Sequence, residues 1–156
     1  MNTQEKERPG IFPFPPAIYL VPLVIGLILH FAFPLRLLPV GWLQIAIGLP
    51  IIGITLVYWV SALLTLRRAG TVIDPGGTTT TIVTHGPYRF SRNPLYLSLI
   101  AIYIGITISV NTVWPLFFFP VVLVLISLVI RQEERYLEEK FGQKYLSYKT
   151  KVRRWL

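Results

Sequence analysis

The residues with chemical capacity in this chain collect in three places. The first is His85-Gly86-Pro87-Tyr88-Arg89-Phe90-Ser91-Arg92-Asn93-Pro94-Leu95-Tyr96, a polar stretch at the mouth of an apolar run. Pro94 suits the first turn of a helix, where its missing N–H would be unpaired anyway, and Asn93 before it can serve as N-cap. A helix start carries partial positive charge and free N–H groups. Arg89 and Arg92 add two full charges, so the place attracts a carboxylate or a phosphate. The plainer reading of these arginines is contact with lipid headgroups. The second place is Glu133-Glu134, just beyond another apolar run. Adjacent helical residues point about 100° apart, which predicts one acid facing the bundle and the other facing water. A carboxylate there can hold a cation or a pair of ribose hydroxyls. Pairing of Glu134 with Arg131, or of Glu139 with Arg135, is the simpler alternative, at about 0.2–0.5 kcal/mol per pair. The third place is the tail, where Leu137, Phe141, Tyr145, Tyr148 and Val152 recur at helical spacing. A basic helix with an aromatic face reads as one lying on anionic lipid, with Gly142 weakening its middle.

Other residues carry less. His30 stands alone in an apolar run and reads as a buried, hydrogen-bonded side chain rather than a ligand. Asp74 in Asp74-Pro75-Gly76 reads as a turn residue. There is no cysteine, no metal-ligand spacing, no Ser–His–Asp set and no phosphate loop.

The elements that position these residues follow from where charge is missing. Of 156 residues, 53% are hydrophobic and 14% charged, against roughly 25% charged in soluble domains. So small a chain could not cover itself with so few polar residues, which argues against a soluble globule, and its apolar content argues against disorder. Charge-free stretches of 27, 30 and 38 residues separate Arg8, Arg36, Arg67 and, further on, Arg92 and Arg131. A helix needs about 20 residues to cross a bilayer. The first two stretches hold one span each, Ala17–Phe33 and Val40–Leu66. The third holds two, Leu95–Val110 and Val113–Ile130, with Asn111 and Pro115 supplying the turn. The expected fold is an all-α integral membrane protein of about four transmembrane helices plus a cytoplasmic or interfacial helix in the tail. It forms one domain over 1–156, with two N-terminal spans in 1–66 and a core in 67–156 made of a helical hairpin, 95–130, and the tail, 131–156.

The net charge of +8 is distributed in a way that excludes nucleic acid as partner. With the N-terminus inside, the cytoplasmic segments hold Lys6, Arg8, Arg67, Arg68, Arg89, Arg92 and all the basic residues of the tail, and the outside holds Arg36 alone. Both termini are therefore expected in the cytoplasm, with a prokaryotic plasma membrane suggested by the small size. Gly41, Gly48 and Gly53 offer a small-residue face for pairing with another copy.

Taken in order, "GPYRFSRNPLY", a membrane hairpin and "EERYLEEKFGQKYLSYKTKVRRW" resemble the core of the isoprenylcysteine carboxyl methyltransferase family and its phospholipid methyltransferase relatives. The resemblance runs from about Arg67 to Trp155. It implies an integral membrane methyltransferase that uses S-adenosylmethionine in a cytosol-facing cleft and acts on a lipophilic acceptor: a prenylcysteine-like carboxylate, a lipid amine or another small apolar nucleophile. The matching positions are Tyr88, Arg92, Asn93, Pro94 and Tyr96, then Glu133 and Glu134, then Tyr145 and Tyr148. Arg92 and Glu134 are the expected catalytic residues. His85, Gly86, Tyr88, Arg89, Asn93, Pro94, Leu95, Tyr96, Glu133, Glu134, Tyr145 and Tyr148 are the expected cofactor contacts, with no metal. The family motif's His is Asn93 here, which offers a donor and an acceptor but no base titrating near neutrality. Lys151 stands where the prenylcysteine enzymes have Arg, a point charge in place of a planar fork. The competing readings are an NADPH-dependent membrane lipid reductase and a non-enzymatic four-span lipid-binding scaffold. The absence of charge at mid-span lowers a transporter reading.

Overall fold

The structure, a computed structural model, describes residues 15–39, 41–71 and 79–156. Lys6, Arg8, the Asp74-Pro75-Gly76 turn and Val40 lie outside them. The described residues form five α-helices: α1 (Pro15–Ala32), α2 (Leu43–Arg68), α3 (Pro94–Ser109), α4 (Trp114–Phe141) and α5 (Gln143–Lys151), with a 3-10 turn over Gly86–Arg89. Three of them, α1, α2 and α4, are long and apolar enough to cross a membrane. The third expected span is shorter: α3 has 16 residues, a rise of about 24 Å against a hydrocarbon core of about 30 Å. Phe31, Ile54, Val57 and Phe117 are exposed on the outward faces, where in a bilayer lipid tails replace water.

The helical hairpin 95–130 is present as two consecutive helices, but its members do not pack mainly on each other. Instead α3 lies along α2, and α4 lies along α1. Glycine explains the first pairing: a Cβ on Gly48 would stand 2.7 Å from the carbonyl oxygen of Gly105, so only hydrogen on that face lets the two backbones meet. Gly48 is thus used inside the molecule, while Gly41 and Gly53 face open space. The core gathers Ile18, Tyr19 and Leu23 of α1, Tyr96 and Tyr103 of α3, and Val122, Ile126, Val129 and Ile130 of α4.

Asn111 makes the α3–α4 turn at φ 58°. Its side-chain oxygen accepts from the N–H groups of Leu37 (3.0 Å) and Leu38 (2.7 Å), and its amide donates to the Leu38 carbonyl (2.9 Å). The two loops at that end are therefore tied together. Pro115 falls in the first turn of α4 rather than in the loop, the position its ring favours.

The tail is not one helix. The last turns of α4 carry the chain past Ile130 into the charged region as far as Phe141, and Gly142, at φ 51° and ψ −128°, ends the helix. That backbone geometry is open to glycine and costly for other residues. The apolar stripe is consequently divided, with Leu137 and Phe141 on α4 and Tyr145 and Tyr148 on α5. An ion pair between Lys149 and Glu138 joins the two helices across the break.

His30 is half-buried and its Nδ1 has no partner among the described residues. The expected hydrogen bond is not formed there, and its ring meets only the edge of Phe31.

Candidate functional site

The loop before α3 is held in place by the tail. The Arg92 backbone N–H donates to the carbonyl of Arg153 at 3.0 Å. The Asn93 side-chain amide and the Ser91 hydroxyl both donate to the carbonyl of Arg154, at 3.1 and 3.3 Å. Ser91 Oγ in turn accepts from the Asn93 backbone N–H at 3.1 Å. Asn93 occupies the N-cap position of α3, and Pro94 its first turn, but the Asn93 side chain makes no capping bond. It is spent on the tail instead. The 3-10 turn is pinned from two sides, because Tyr148 donates to the Tyr88 carbonyl at 2.6 Å and Tyr58 donates to the Pro87 carbonyl at 3.3 Å.

The acidic pair meets this loop from α4. Glu134 is 4% exposed. Its Oε1 lies 3.1 Å from Arg92 Nη2 and its Oε2 lies 2.6 Å from Arg154 Nη2, with Arg154 Nε at 3.2 Å from both oxygens. Arg131 takes no part. Glu133 accepts a hydrogen bond from the Tyr96 hydroxyl at 2.5 Å. Glu134 is buried and Glu133 half-buried, so neither acid is fully exposed, contrary to the expectation from a lone helix, because this part of α4 is covered on two sides. Tyr96 of α3 meets one acid, and the arginines of the loop and the tail meet the other.

Burial sets the electrostatics. Glu133 stands beyond the apolar stretch that ends at Ile130, and loss of solvent pushes its carboxyl up to about 7. The Tyr96 hydroxyl opposes that rise and the neighbouring Glu134 adds to it. The hydroxyls of Tyr88, Tyr145 and Tyr148 are also pushed up by burial, so they stay protonated. Arg92 has a side chain only 7% exposed. Its Nη2 is on Glu134, while its Nε and Nη1 have no partner among the described residues. Two buried charged donors left open are costly unless something accepts from them.

These groups border one cavity of about 300 Å³. Ten of the residues singled out in the sequence line it: Tyr88, Arg92, Asn93, Pro94, Leu95, Tyr96, Glu133, Glu134, Tyr145 and Tyr148. Three do not. His85, Gly86 and Arg89 are exposed and outside its lining, and Arg89 lies over the ring of Phe90, 5.2 Å from its centre. The cavity has a polar end at Arg92, Glu133 and Glu134 and an apolar side formed by Trp59, Leu63, Leu66 and Leu99. Sequence reasoning missed that apolar side, since a Trp and three Leu inside spans look like any lipid-facing residues. It also missed Arg154, which counted only as one basic residue among many.

A family model described as phospholipid methyltransferase matches residues 43–144. The match runs from the first residue of α2 into α5 and includes every cavity residue named above except Tyr145 and Tyr148. A protein of Haemophilus influenzae described as uncharacterized is 44% identical over 63 residues, which make up 40% of this chain and 100% of that protein.

Proposed function

Given that the chain belongs to the phospholipid methyltransferase family, and is thus a membrane methyltransferase of lipids, we propose that it takes its methyl group from S-adenosylmethionine. The acceptor is a lipophilic nucleophile at the cytoplasmic face of the membrane, such as a prenylcysteine-like carboxylate, a lipid amine or a small apolar molecule. The observation that carries this reading is the pair of unpartnered donors, Nε and Nη1, on buried Arg92 in the wall of a cavity that also holds a carboxylate.

The residues present fit the cofactor. Arg92 Nε and Nη1 suit its carboxylate, as a guanidinium edge grips a carboxylate with two parallel bonds. Glu133 suits its ammonium or its ribose hydroxyls. Glu134 has both oxygens occupied by arginines, so its role is to orient Arg92 rather than to touch the ribose. Tyr88, Tyr145 and Tyr148 form an aromatic wall suited to the flat adenosine base. When bound, S-adenosylmethionine supplies an electrophilic methyl whose bond to sulfur breaks as the acceptor's bond to carbon forms. The protein's part is to hold the acceptor in line, exclude water and keep charge balanced. Trp59, Leu63, Leu66 and Leu99 give the acceptor an apolar surface. Asn93, with its amide spent on the Arg154 carbonyl, supplies no base. Glu133 is the cavity group able to give or take a proton near neutrality.

Calorimetric titration of the detergent-purified protein with S-adenosylhomocysteine tests the reading, with NADPH as parallel titrant. The expected result is saturable binding of the first, abolished by Arg92→Ala and weakened by Glu133→Gln, and no heat from the second. A signal with NADPH alone would point to the reductase, and silence with both would remove the cofactor assignment.

A further inference from the structure

Arg154 reaches Glu134 from behind. It borders a second hollow, lined by Arg131, Arg135, Glu138 and Lys149 as well, and is not part of the cavity wall. Its side chain is about one-third exposed while the Glu134 side chain is 5% exposed, so a buried carboxylate is shared between one cation bordering the cavity and one outside its lining. A lone Arg92 facing that carboxylate would satisfy it with two parallel bonds, the preferred geometry of this pair. Here Arg92 makes one, through Nη2, while Arg154 Nη2 lies 2.6 Å from the other oxygen and its Nε contacts both. The cluster of two guanidinium groups and one carboxylate keeps a net positive charge, and Arg92, which borders the cavity, has Nε and Nη1 without a partner among the described residues.

We propose that Arg154 is a positioning residue: by occupying Glu134 from outside, it prevents Glu134 from neutralising Arg92 and so keeps Arg92 free to grip the carboxylate of the methyl donor. The inference rests on the proposed cofactor and adds to it a cause for the open donors. It concerns the Arg154 side chain alone. The tail's grip on Ser91, Arg92 and Asn93 runs through the backbone carbonyls of Arg153 and Arg154, which substitution of the side chain leaves in place.

The test compares Arg154→Gln, Arg154→Lys and, as a control of equal charge change on an exposed site, Lys144→Gln. Two readouts are used. The first is the ¹⁵N–¹H signal of Arg92 Nε in ligand-free protein, identified by its loss in Arg92→Lys. In Arg154→Gln the signal shifts as Arg92 turns to face Glu134 with two bonds, and Glu134→Gln added to that variant returns it toward its original position. The second is S-adenosylhomocysteine affinity, expected to fall about tenfold or more in Arg154→Gln, as for loss of a hydrogen bond to a charged group. Arg154→Lys restores part of it and Lys144→Gln changes nothing. An unmoved Arg92 signal in Arg154→Gln overturns the proposal, and so does an affinity loss matched by Lys144→Gln. If the wild type binds no S-adenosylhomocysteine while the Arg92 signal moves as described, the cofactor reading fails and the Arg154–Glu134–Arg92 relation stands.

Discussion

Two carboxylates adjacent in sequence have opposite duties. Glu134 is fully paired between Arg92 and Arg154, and Glu133 keeps only the Tyr96 hydroxyl. The folded chain raises the Glu133 carboxyl from 4.5 to about 7 and so favours its protonated form. The stability linked to this proton is full below pH 4.5 and is lost as pH rises through about 7. Thermal unfolding in detergent should therefore show the wild type falling relative to Glu133→Gln across that interval, and a constant difference would remove Glu133 as the titrating group. Tyr96→Phe deletes the one bond that holds the carboxyl down, so the same fall should extend to higher pH. Arg92→Ala leaves Glu134 with Arg154 and costs little stability beyond about 1–3 kcal/mol, yet it should abolish methyl transfer, measured with labelled donor on membrane lipid extracts.

At the scale of elements, the close approach of α2 and α3 and the break between α4 and α5 both depend on glycine. Gly48→Leu should force the two helices apart at Gly105, with a loss of about 1–3 kcal/mol and of activity, since α3 begins at the site with Pro94. Gly53→Ala, on the same helix but facing open space, should leave unfolding unchanged or slightly delayed. Gly142→Ala should cost about 1–3 kcal/mol and weaken the seat of Tyr145 and Tyr148 at the cavity, seen as lower S-adenosylhomocysteine affinity. The starts of α1 to α4 and the ends of α1 to α3 were legible to within a few residues because charge or a turn residue marks the ends of an apolar run. By contrast, α4 continues through charged residues to Phe141. Arg36 precedes α2 and Arg67 falls in its last turn, and Asn111 follows the end of α3 as expected. Which helix lies beside which was not legible, because lipid-facing and helix-facing leucines look alike, and only the Gly48–Gly105 contact, two distant glycines, decides it. At the site, the polar motifs could be found from their types, but the division of Glu134 between two arginines depends on a chain reversal at Gly142 that the unbroken stripe concealed.

For the molecule as a whole, we expect the charge asymmetry to set its orientation in the membrane. The absence of cysteine makes a direct test simple. A single cysteine replacing Leu156, which is exposed, should be labelled by an impermeant maleimide only after the membrane is opened, and one replacing Arg36 should be labelled in intact cells. The reverse pattern would place the cavity on the other face. Ending the chain after Val152 removes the two carbonyls that hold Ser91, Arg92 and Asn93, together with Trp155, which packs against the main core. That variant should insert into the membrane and bind no S-adenosylhomocysteine.

The docking of the tail on the 91–93 loop also has a consequence in time. Asn93 and its partner Arg154 are 61 residues apart in sequence, so during synthesis the loop exists for about 3–12 s, at about 5–20 residues per second, before its fastening is made. Through that interval α3 and α4 are being inserted while the 91–93 loop lacks its partners in the tail. On the proposed function, a nascent chain arrested anywhere before Arg153 should insert into the membrane and bind no methyl donor. On the proposed reading, the methyl-donor site therefore forms in a single step, late in the life of the ribosome-bound chain.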